Sequence, residues 1–246
     1  MLAAFGIACL LAWSGSAVRV SNPTGNGLEV AGNILSGIFH PSAKLLFTLG
    51  TAKIYTAFMA KNDAAYGEIS KLLEPYIDSE KSVLELACGT GQITFLMAGK
   101  SGSWEATDYS ENMIKEAEKR NQGEHKCEQL RFCVQDATNL TYEDEKFNVV
   151  VIANALHIMP QPEKALKEIH RVLKKDGILF APTFVYERGY PKLPIWLMEK
   201  AGFKTYHKWQ SEELKEYVGS EGFQVVGEAL IKGKPLSEYV LVGKKE

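Results

Sequence analysis

Residues 82–94 of this chain read SVLELACGTGQIT, beginning at Ser82 and ending at Thr94. The first part is an apolar run that is typical of a parallel strand buried on both faces. Gly89 and Gly91 follow, and glycine accepts positive φ angles and lets a ligand approach the backbone closely. A helix is predicted over Gln92–Lys100, with its free N–H groups and the positive end of its dipole directed at the turn. The stretch therefore predicts a strand, a ligand-binding turn and a helix.

Two residues around this turn distinguish between two classes of ligand. Dinucleotide-binding folds carry G-x-G-x-x-G to seat a pyrophosphate, and this chain has Thr94 in place of the third glycine. Glu85 stands four residues before Gly89, and its carboxylate would repel phosphate groups. A cationic ligand therefore fits this turn better than a pyrophosphate does.

The pattern Glu85-x-x-x-Gly89-x-Gly91 resembles motif I of the class I S-adenosylmethionine-dependent methyltransferases. The cofactor of that family carries an ammonium and a sulfonium, which suits an acidic residue beside the turn. The family usually has glycine where this chain has Ala87, which predicts a slightly wider loop. Cys88 lies inside the turn and is interpreted as a small packing residue rather than a nucleophile. The resemblance implies S-adenosyl-L-methionine as the cofactor, bound by this turn.

The resemblance covers roughly residues 63–243 and implies a doubly wound α/β fold of the Rossmann-like methyltransferase type. The expected sheet has seven mostly parallel strands with the last one antiparallel, and helices cover both of its faces. After the first strand, strands are predicted at residues 104–107, 130–134, 147–153, 178–183, 223–231 and 237–242. Helices are also predicted at residues 63–77, 110–122, 161–177 and 211–220. Residues 186–208 are interpreted as an irregular insert that shapes the acceptor pocket.

Acidic residues follow two of the predicted strands, at the edge where such sheets bind a cofactor. Asp108 ends the second strand, where a carboxylate can accept hydrogen bonds from both ribose hydroxyls. Asp136 follows the third strand and resembles the family position that binds the adenine amino group. Tyr109 is expected to pack on the adenine, and Asn154 to hold the acceptor or the methionine end of the cofactor. The further predicted cofactor-binding residues are Ala87, Cys88, Met113, Ala137 and Tyr55.

His157 is the predicted catalytic residue. Methyl transfer from a sulfonium needs an aligned acceptor, exclusion of water and, for some acceptors, removal of a proton. His157 lies in the loop after the fourth strand, where acceptors approach, and histidine titrates in the range that suits a general base. The alternative is a histidine that packs beside the cofactor. This reaction needs no metal, and the four cysteines lack the spacing of a zinc site.

The sequence predicts three units, at residues 1–20, 21–62 and 63–246. The first holds the apolar run Leu2–Val18, which is shorter than the roughly 20 residues of a membrane span. It is interpreted as a membrane anchor that leaves the catalytic domain facing the cytoplasm. A signal sequence, a hydrophobic lid and a start codon placed too early are the alternatives. The second unit combines a linker with a helical cover that brings Tyr55 over the site.

Charge and cysteine usage exclude some classes of partner. A net charge of −2 gives no indication of nucleic-acid binding. The cysteine pattern favours a reducing, intracellular compartment. Three functions agree with the sequence: methyl transfer to a small organic acceptor, membrane-bound methyl transfer to a lipid or quinone-like acceptor, and cofactor binding without catalysis. The acceptor, its nucleophilic atom and the oligomeric state stay open at this point.

Overall fold

The structure, a computed structural model, describes residues 63–123, 127–200, 204–233 and 236–246. The predicted anchor, linker and helical cover, together with Tyr55, lie outside these residues. Among the helices that are described, none has both the length and the apolar composition needed to cross a membrane.

Seven strands form one sheet: β1 (Ser82–Leu86), β2 (Ser103–Asp108), β3 (Leu130–Val134), β4 (Phe147–Ile152), β5 (Leu173–Val185), β6 (Phe223–Ile231) and β7 (Ser237–Lys245). Their spatial order is β3-β2-β1-β4-β5-β7-β6. β1 pairs in parallel with β2 and β4, whereas β7 runs antiparallel to its neighbours β5 and β6. This arrangement confirms the predicted fold class. The strand order reverses between β1 and β4, and doubly wound sheets bind ligands in the crevice at such a switch point.

Six α-helices accompany the sheet in the described part of the chain: α1 (Asp63–Leu73), α2 (Thr94–Met97), α3 (Glu111–Gly123), α4 (Pro162–Val172), α5 (Lys192–Lys200) and α6 (Ser211–Ser220). Strand alternation sends Val83 to one face of the sheet and Leu84 to the other. Val83 packs in a cluster with side chains of α1, α2 and α3, whereas Leu84 packs with side chains of α4 and α6. Because both faces are covered, β1 and β4 are apolar almost throughout.

The helix predicted over Gln92–Lys100 is shorter in the structure. Its helical hydrogen bonds begin where Phe95 N donates to the Gly91 carbonyl at 3.1 Å. The α-helical part is the four-residue α2, and a 3₁₀ turn, Ala98–Lys100, completes the segment. Gly99 in that turn has a low helix propensity, which disfavours a longer helix. A helix of four residues carries a smaller dipole than the predicted helix would, so its contribution to ligand binding is expected to be small.

The helix predicted to continue to Gly177 ends earlier, at Val172. Leu173 leaves the helix to pair with Phe147 of β4, and its side chain is fully buried. Burial of Leu173 in the sheet thus overrides the helical pattern of the residues that follow it.

The insert at residues 186–208 is not irregular throughout, because it contains α5. Pro194 lies in this insert, and proline is unfavourable in the interior of a helix. It is the third residue of α5, however, and the first N–H groups of a helix have no partner within the helix. A proline in the first turn therefore costs no helical hydrogen bond.

Candidate cofactor and acceptor site

Left-handed backbone conformations shape the turn between β1 and α2. The φ angles are 54° at Ala87, 58° at Gly89 and 89° at Gly91. A Cβ atom built on Gly91 would lie 2.5 Å from the ring of Phe95. Glycine adopts such angles without steric cost, which explains why the family usually has glycine at position 87. Ala87 adopts a left-handed conformation although it carries a side chain, which that conformation disfavours.

Hydrogen bonds to β2 and α3 fix the position of this turn. Cys88 N donates to the Thr107 carbonyl of β2 at 2.9 Å, and Arg120 of α3 donates to the Thr90 carbonyl. The Arg120 guanidinium also lies 4.8 Å from the centroid of the Phe95 ring. Cys88 is buried, and burial raises the pKa of its thiol well above the usual value. The thiol is therefore protonated at neutral pH, in agreement with the packing role predicted for it.

Glu85 is buried beneath the turn, with 2% of its surface exposed. Its Oε2 accepts hydrogen bonds from Thr94 Oγ1 at 2.6 Å and from Trp104 Nε1 at 2.9 Å. Burial raises the pKa of Glu85 to about 7, and the two hydrogen bonds act in the opposite direction. Both donors are neutral, so neither balances the charge of the ionised carboxylate. Thr94, which stands in place of the third glycine, therefore donates a hydrogen bond to the buried carboxylate. The hydrogen bond from Trp104 was not predicted from the sequence.

Asp108 joins the end of β2 to the glycine turn. Its Oδ2 accepts from Gly89 N at 2.9 Å, and its Oδ1 accepts from Ser110 N at 2.8 Å. Burial raises the pKa of this carboxyl, and the two backbone hydrogen bonds lower it. Each carboxylate oxygen has a second lone pair, which leaves capacity for hydroxyl donors of a ligand. Tyr109 beside it is 58% exposed, whereas Met113 is buried against the core.

The end of β3 lies next to the end of β2, because Gln135 N donates to the Asp108 carbonyl at 3.1 Å. Asp136 follows and is exposed. Its Oδ1 accepts from the Thr138 N–H at 2.9 Å and from the Thr138 hydroxyl at 2.7 Å, which fixes the loop. Ala137 is half-buried against the core. The residues predicted to bind ribose and adenine therefore share one edge of the sheet.

Asn154 begins the loop after β4, in a left-handed conformation with φ of 53°. Its backbone N donates to the Pro182 carbonyl at 2.8 Å, and its Nδ2 donates to Glu238 Oε1 at 2.7 Å. Asn154 Oδ1 is buried and has no hydrogen-bond partner among the described residues. Glu238 is 5% exposed, and burial raises its pKa to about 7. Glu238 was not predicted as a site residue, although an acid that alternates with Val240 and Val242 on one strand face was an available signal.

His157 is buried in the 3₁₀ turn Leu156–Ile158. Its ring meets the Phe184 ring edge-on, with centroids 5.8 Å apart. Its carbonyl accepts from the backbone N–H groups of Tyr206 and His207. Burial, together with the smaller effect of the nearby His207, lowers the pKa of His157 to about 4. The imidazole is therefore neutral and weakly basic at pH 7, which favours the packing alternative, and a catalytic role stays an untested prediction.

A protein-family model described as a methyltransferase domain matches residues 77–227, which is more than half of the chain. The chain belongs to this methyltransferase family. Two curated relatives are demethylmenaquinone methyltransferases. The one from Lactobacillus johnsonii is 34% identical over 128 residues, covering 51% of this chain and 50% of the relative. The one from Lactococcus lactis is 37% identical over 130 residues, covering 52% and 48%. The chain thus spans about half the length of the curated relatives it matches.

A solved structure of an S-adenosylmethionine-dependent methyltransferase from Thermotoga maritima has the same fold. It superposes with a TM-score of 0.64 at 22% identity, covering 80% of this chain and 97% of that one. The match to the family model at residues 77–227 confirms the family assignment drawn from Glu85, Gly89 and Gly91. S-adenosylmethionine is the cofactor that this family implies, whereas the roles of individual residues stay predictions.

Proposed function

We propose that this protein transfers a methyl group from S-adenosylmethionine to a small organic acceptor. The observation that supports this most strongly is the glycine turn at the strand-order reversal, bordered by the carboxylates of Glu85 and Asp108. When bound, the cofactor supplies a methyl group on a sulfonium. The protein then has to bind the cofactor, orient the acceptor and exclude water.

The turn fits this cofactor better than it fits a dinucleotide. Gly89 and Gly91 carry no Cβ and leave the backbone open to a ligand. Asp108 accepts hydrogen bonds from ribose hydroxyls with its remaining lone pairs. Both described hydrogen bonds to Glu85 end on Oε2, and we assign its other oxygen, Oε1, to the cationic amino-acid tail. The buried carboxylate of Glu85 beside the turn would repel a pyrophosphate.

The adenine end of the cofactor is assigned to the adjoining strand ends. Asp136 takes the amino group, and the backbone N–H of Ala137 reaches a ring nitrogen. Tyr109 is exposed beside Asp108 and covers the ring, whereas the buried Met113 supports that surface from below.

The unit at residues 63–246 is proposed as the catalytic domain. Residues 1–20 are proposed as a membrane anchor and residues 21–62 as a linker and cover that brings Tyr55 to the site. The family match lies wholly within the third unit, at residues 77–227, and the packing of Ile69 and Leu73 of α1 in the core cluster supports including α1 in that unit.

A quinone-like acceptor at a membrane is the second candidate. It is favoured by the two curated relatives, which are demethylmenaquinone methyltransferases. It is also favoured by Leu193 and Trp196, one turn apart on α5, which are 67% and 51% exposed. An apolar acceptor or a lipid surface would cover such side chains.

A single-turnover assay with methyl-labelled S-adenosylmethionine tests the proposal. The full-length chain is incubated with a panel of naphthoquinols, phenols, amines and thiols, with and without lipid vesicles. Transfer of label to one class of acceptor is the expected result, and a requirement for vesicles favours the second candidate. Cofactor binding without transfer to any acceptor in the panel would instead support a non-catalytic cofactor-binding protein.

A further inference from the structure

A second buried carboxylate, Glu238, lies apart from the glycine turn. It stands near the beginning of β7 and pairs with Phe184 of β5. Strand alternation places its side chain on the same face as Val240 and Val242, which share a cluster with Val83. Glu85 is two residues after Val83 and therefore lies on that face as well. The sheet thus carries two buried acids, Glu85 and Glu238, on one face. Glu85 lies beneath the glycine turn, whereas Glu238 has no role in that turn.

The surroundings of Glu238 leave its charge unbalanced. The hydrogen bond described for it comes from the neutral amide Nδ2 of Asn154 at 2.7 Å. Within the described residues no basic side chain contributes to its pKa, which burial raises. A buried carboxylate without a cationic partner is destabilising and is a common feature of ligand sites.

Asn154 adds a second unpartnered acceptor at the same place. Its Oδ1 is buried without a hydrogen-bond partner among the described residues. Buried amide oxygens are almost always hydrogen-bonded, so an acceptor without a partner among the described residues is a candidate position for a ligand donor. The left-handed backbone of Asn154 and its N–H bond to Pro182 hold the amide against Glu238. Strained backbone of this kind is concentrated at functional sites.

We propose that Glu238 and Asn154 bind a primary ammonium group of the methyl acceptor. This inference rests on the proposed function, because it requires an acceptor pocket beside the cofactor. Asn154 follows β4, one of the two strands at the strand-order reversal where ligands bind in such sheets. Glu238 lies at the same end of the sheet, because the beginning of β7 pairs with the end of β5 and the Asn154 amide reaches its carboxylate.

An ammonium group would supply the hydrogen-bond donor that Asn154 Oδ1 lacks and the positive charge that Glu238 lacks among the described residues. It carries three N–H donors and a positive charge, so it satisfies Asn154 Oδ1, donates to the carboxylate and balances its charge. A hydroxyl group offers one donor and no charge, which leaves one of the two acceptors unpaired. The cofactor brings one ammonium of its own, and Glu85 is already assigned to it. Glu238 is therefore available to the acceptor.

Calorimetry on the full-length chain saturated with S-adenosylhomocysteine tests this assignment without methyl transfer. The probes are benzylamine and benzyl alcohol, which have similar size and differ in charge and in the number of donors. Benzylamine is expected to bind about tenfold more tightly or better, as charge-assisted hydrogen bonds imply. Glu238→Gln should remove this preference, and Asn154→Ser should reduce it. Glu228→Gln is the matched control, because Glu228 is an exposed acid of β6 that pairs with Lys215.

Three outcomes have distinct meanings. Equal binding of the two probes, or a preference that survives in Glu238→Gln, overturns the proposal. The acceptor assignment also fails if Glu238→Gln weakens S-adenosylhomocysteine but not 5′-methylthioadenosine, which lacks the amino-acid tail, because the ammonium would then be the cofactor's own. Failure of the wild-type chain to bind S-adenosylhomocysteine overturns the proposed function itself. Thermal unfolding of each variant shows that a lost preference does not come from a lost fold.

Discussion

Replacing Glu85 by glutamine should change how the stability of the protein depends on pH. The native pKa of Glu85 is raised by burial from 4.5 to about 7. A raised native pKa stabilises the fold below the unfolded pKa, and this stabilisation is lost as the pH rises through the native pKa. Between about pH 5 and about pH 8, the group should therefore cost the wild type about 2.5 kcal/mol of unfolding free energy. Glutamine does not ionise, and its oxygen still accepts from Thr94 and Trp104.

Urea unfolding of the cofactor-free protein at the two pH values measures this effect. Relative to the wild type, Glu85→Gln should gain about 2.5 kcal/mol of unfolding free energy on going from the lower to the higher pH. Glu80→Gln is the matched control at an exposed carboxylate and should show no comparable gain. If the profiles of Glu85→Gln and the wild type ran parallel, the buried carboxylate would not be the ionisable group described above.

Three further changes test the turn, the ribose site and the N-terminal unit. Asp108→Ala should weaken cofactor binding by about 1.5 to 3 kcal/mol in calorimetry, and a change within about twofold would contradict its ribose role. Ala87→Gly should raise the unfolding free energy by about 1 kcal/mol, because residue 87 has a φ of 54°; equal or lower stability would refute the strain. Deleting residues 1–27 should alter partitioning into detergent and leave cofactor affinity unchanged, whereas deletion through Met59 should lower turnover in the labelling assay. Loss of cofactor binding in the shorter deletion would rule out the anchor.

Local sequence patterns predicted most of the sheet. The bounds of β3, Leu130–Val134, agree with the predicted strand, because polar segments flank a short apolar run. The end of the helix before β5 was wrong for a different reason. Leu173 is held in the sheet by pairing with Phe147, and residues 174–177 contain no local signal of that contact.

Local patterns also predicted some residues of the candidate site and not others. Gly89, Gly91 and Asp108 could be found because each stands at a strand end that the sequence itself marks. Glu238 could also have been noticed as an acid in an apolar strand, but its pairing with Asn154 could not be predicted, because the two residues are 84 positions apart in the sequence. The same holds for Trp104, which donates to Glu85 across 19 residues. Contacts between side chains on different strands depend on the order of the strands in the sheet, and a local sequence pattern does not specify that order.

The central claim is that the glycine turn holds S-adenosylmethionine, with Glu85 and Asp108 beside it. Calorimetric titration of the full-length chain with S-adenosylmethionine and, separately, with NAD tests this claim directly. The account predicts binding of S-adenosylmethionine at one site with a dissociation constant on the order of micromolar, and no heat of binding with NAD. Binding of NAD at that strength, with no response to S-adenosylmethionine, would contradict it.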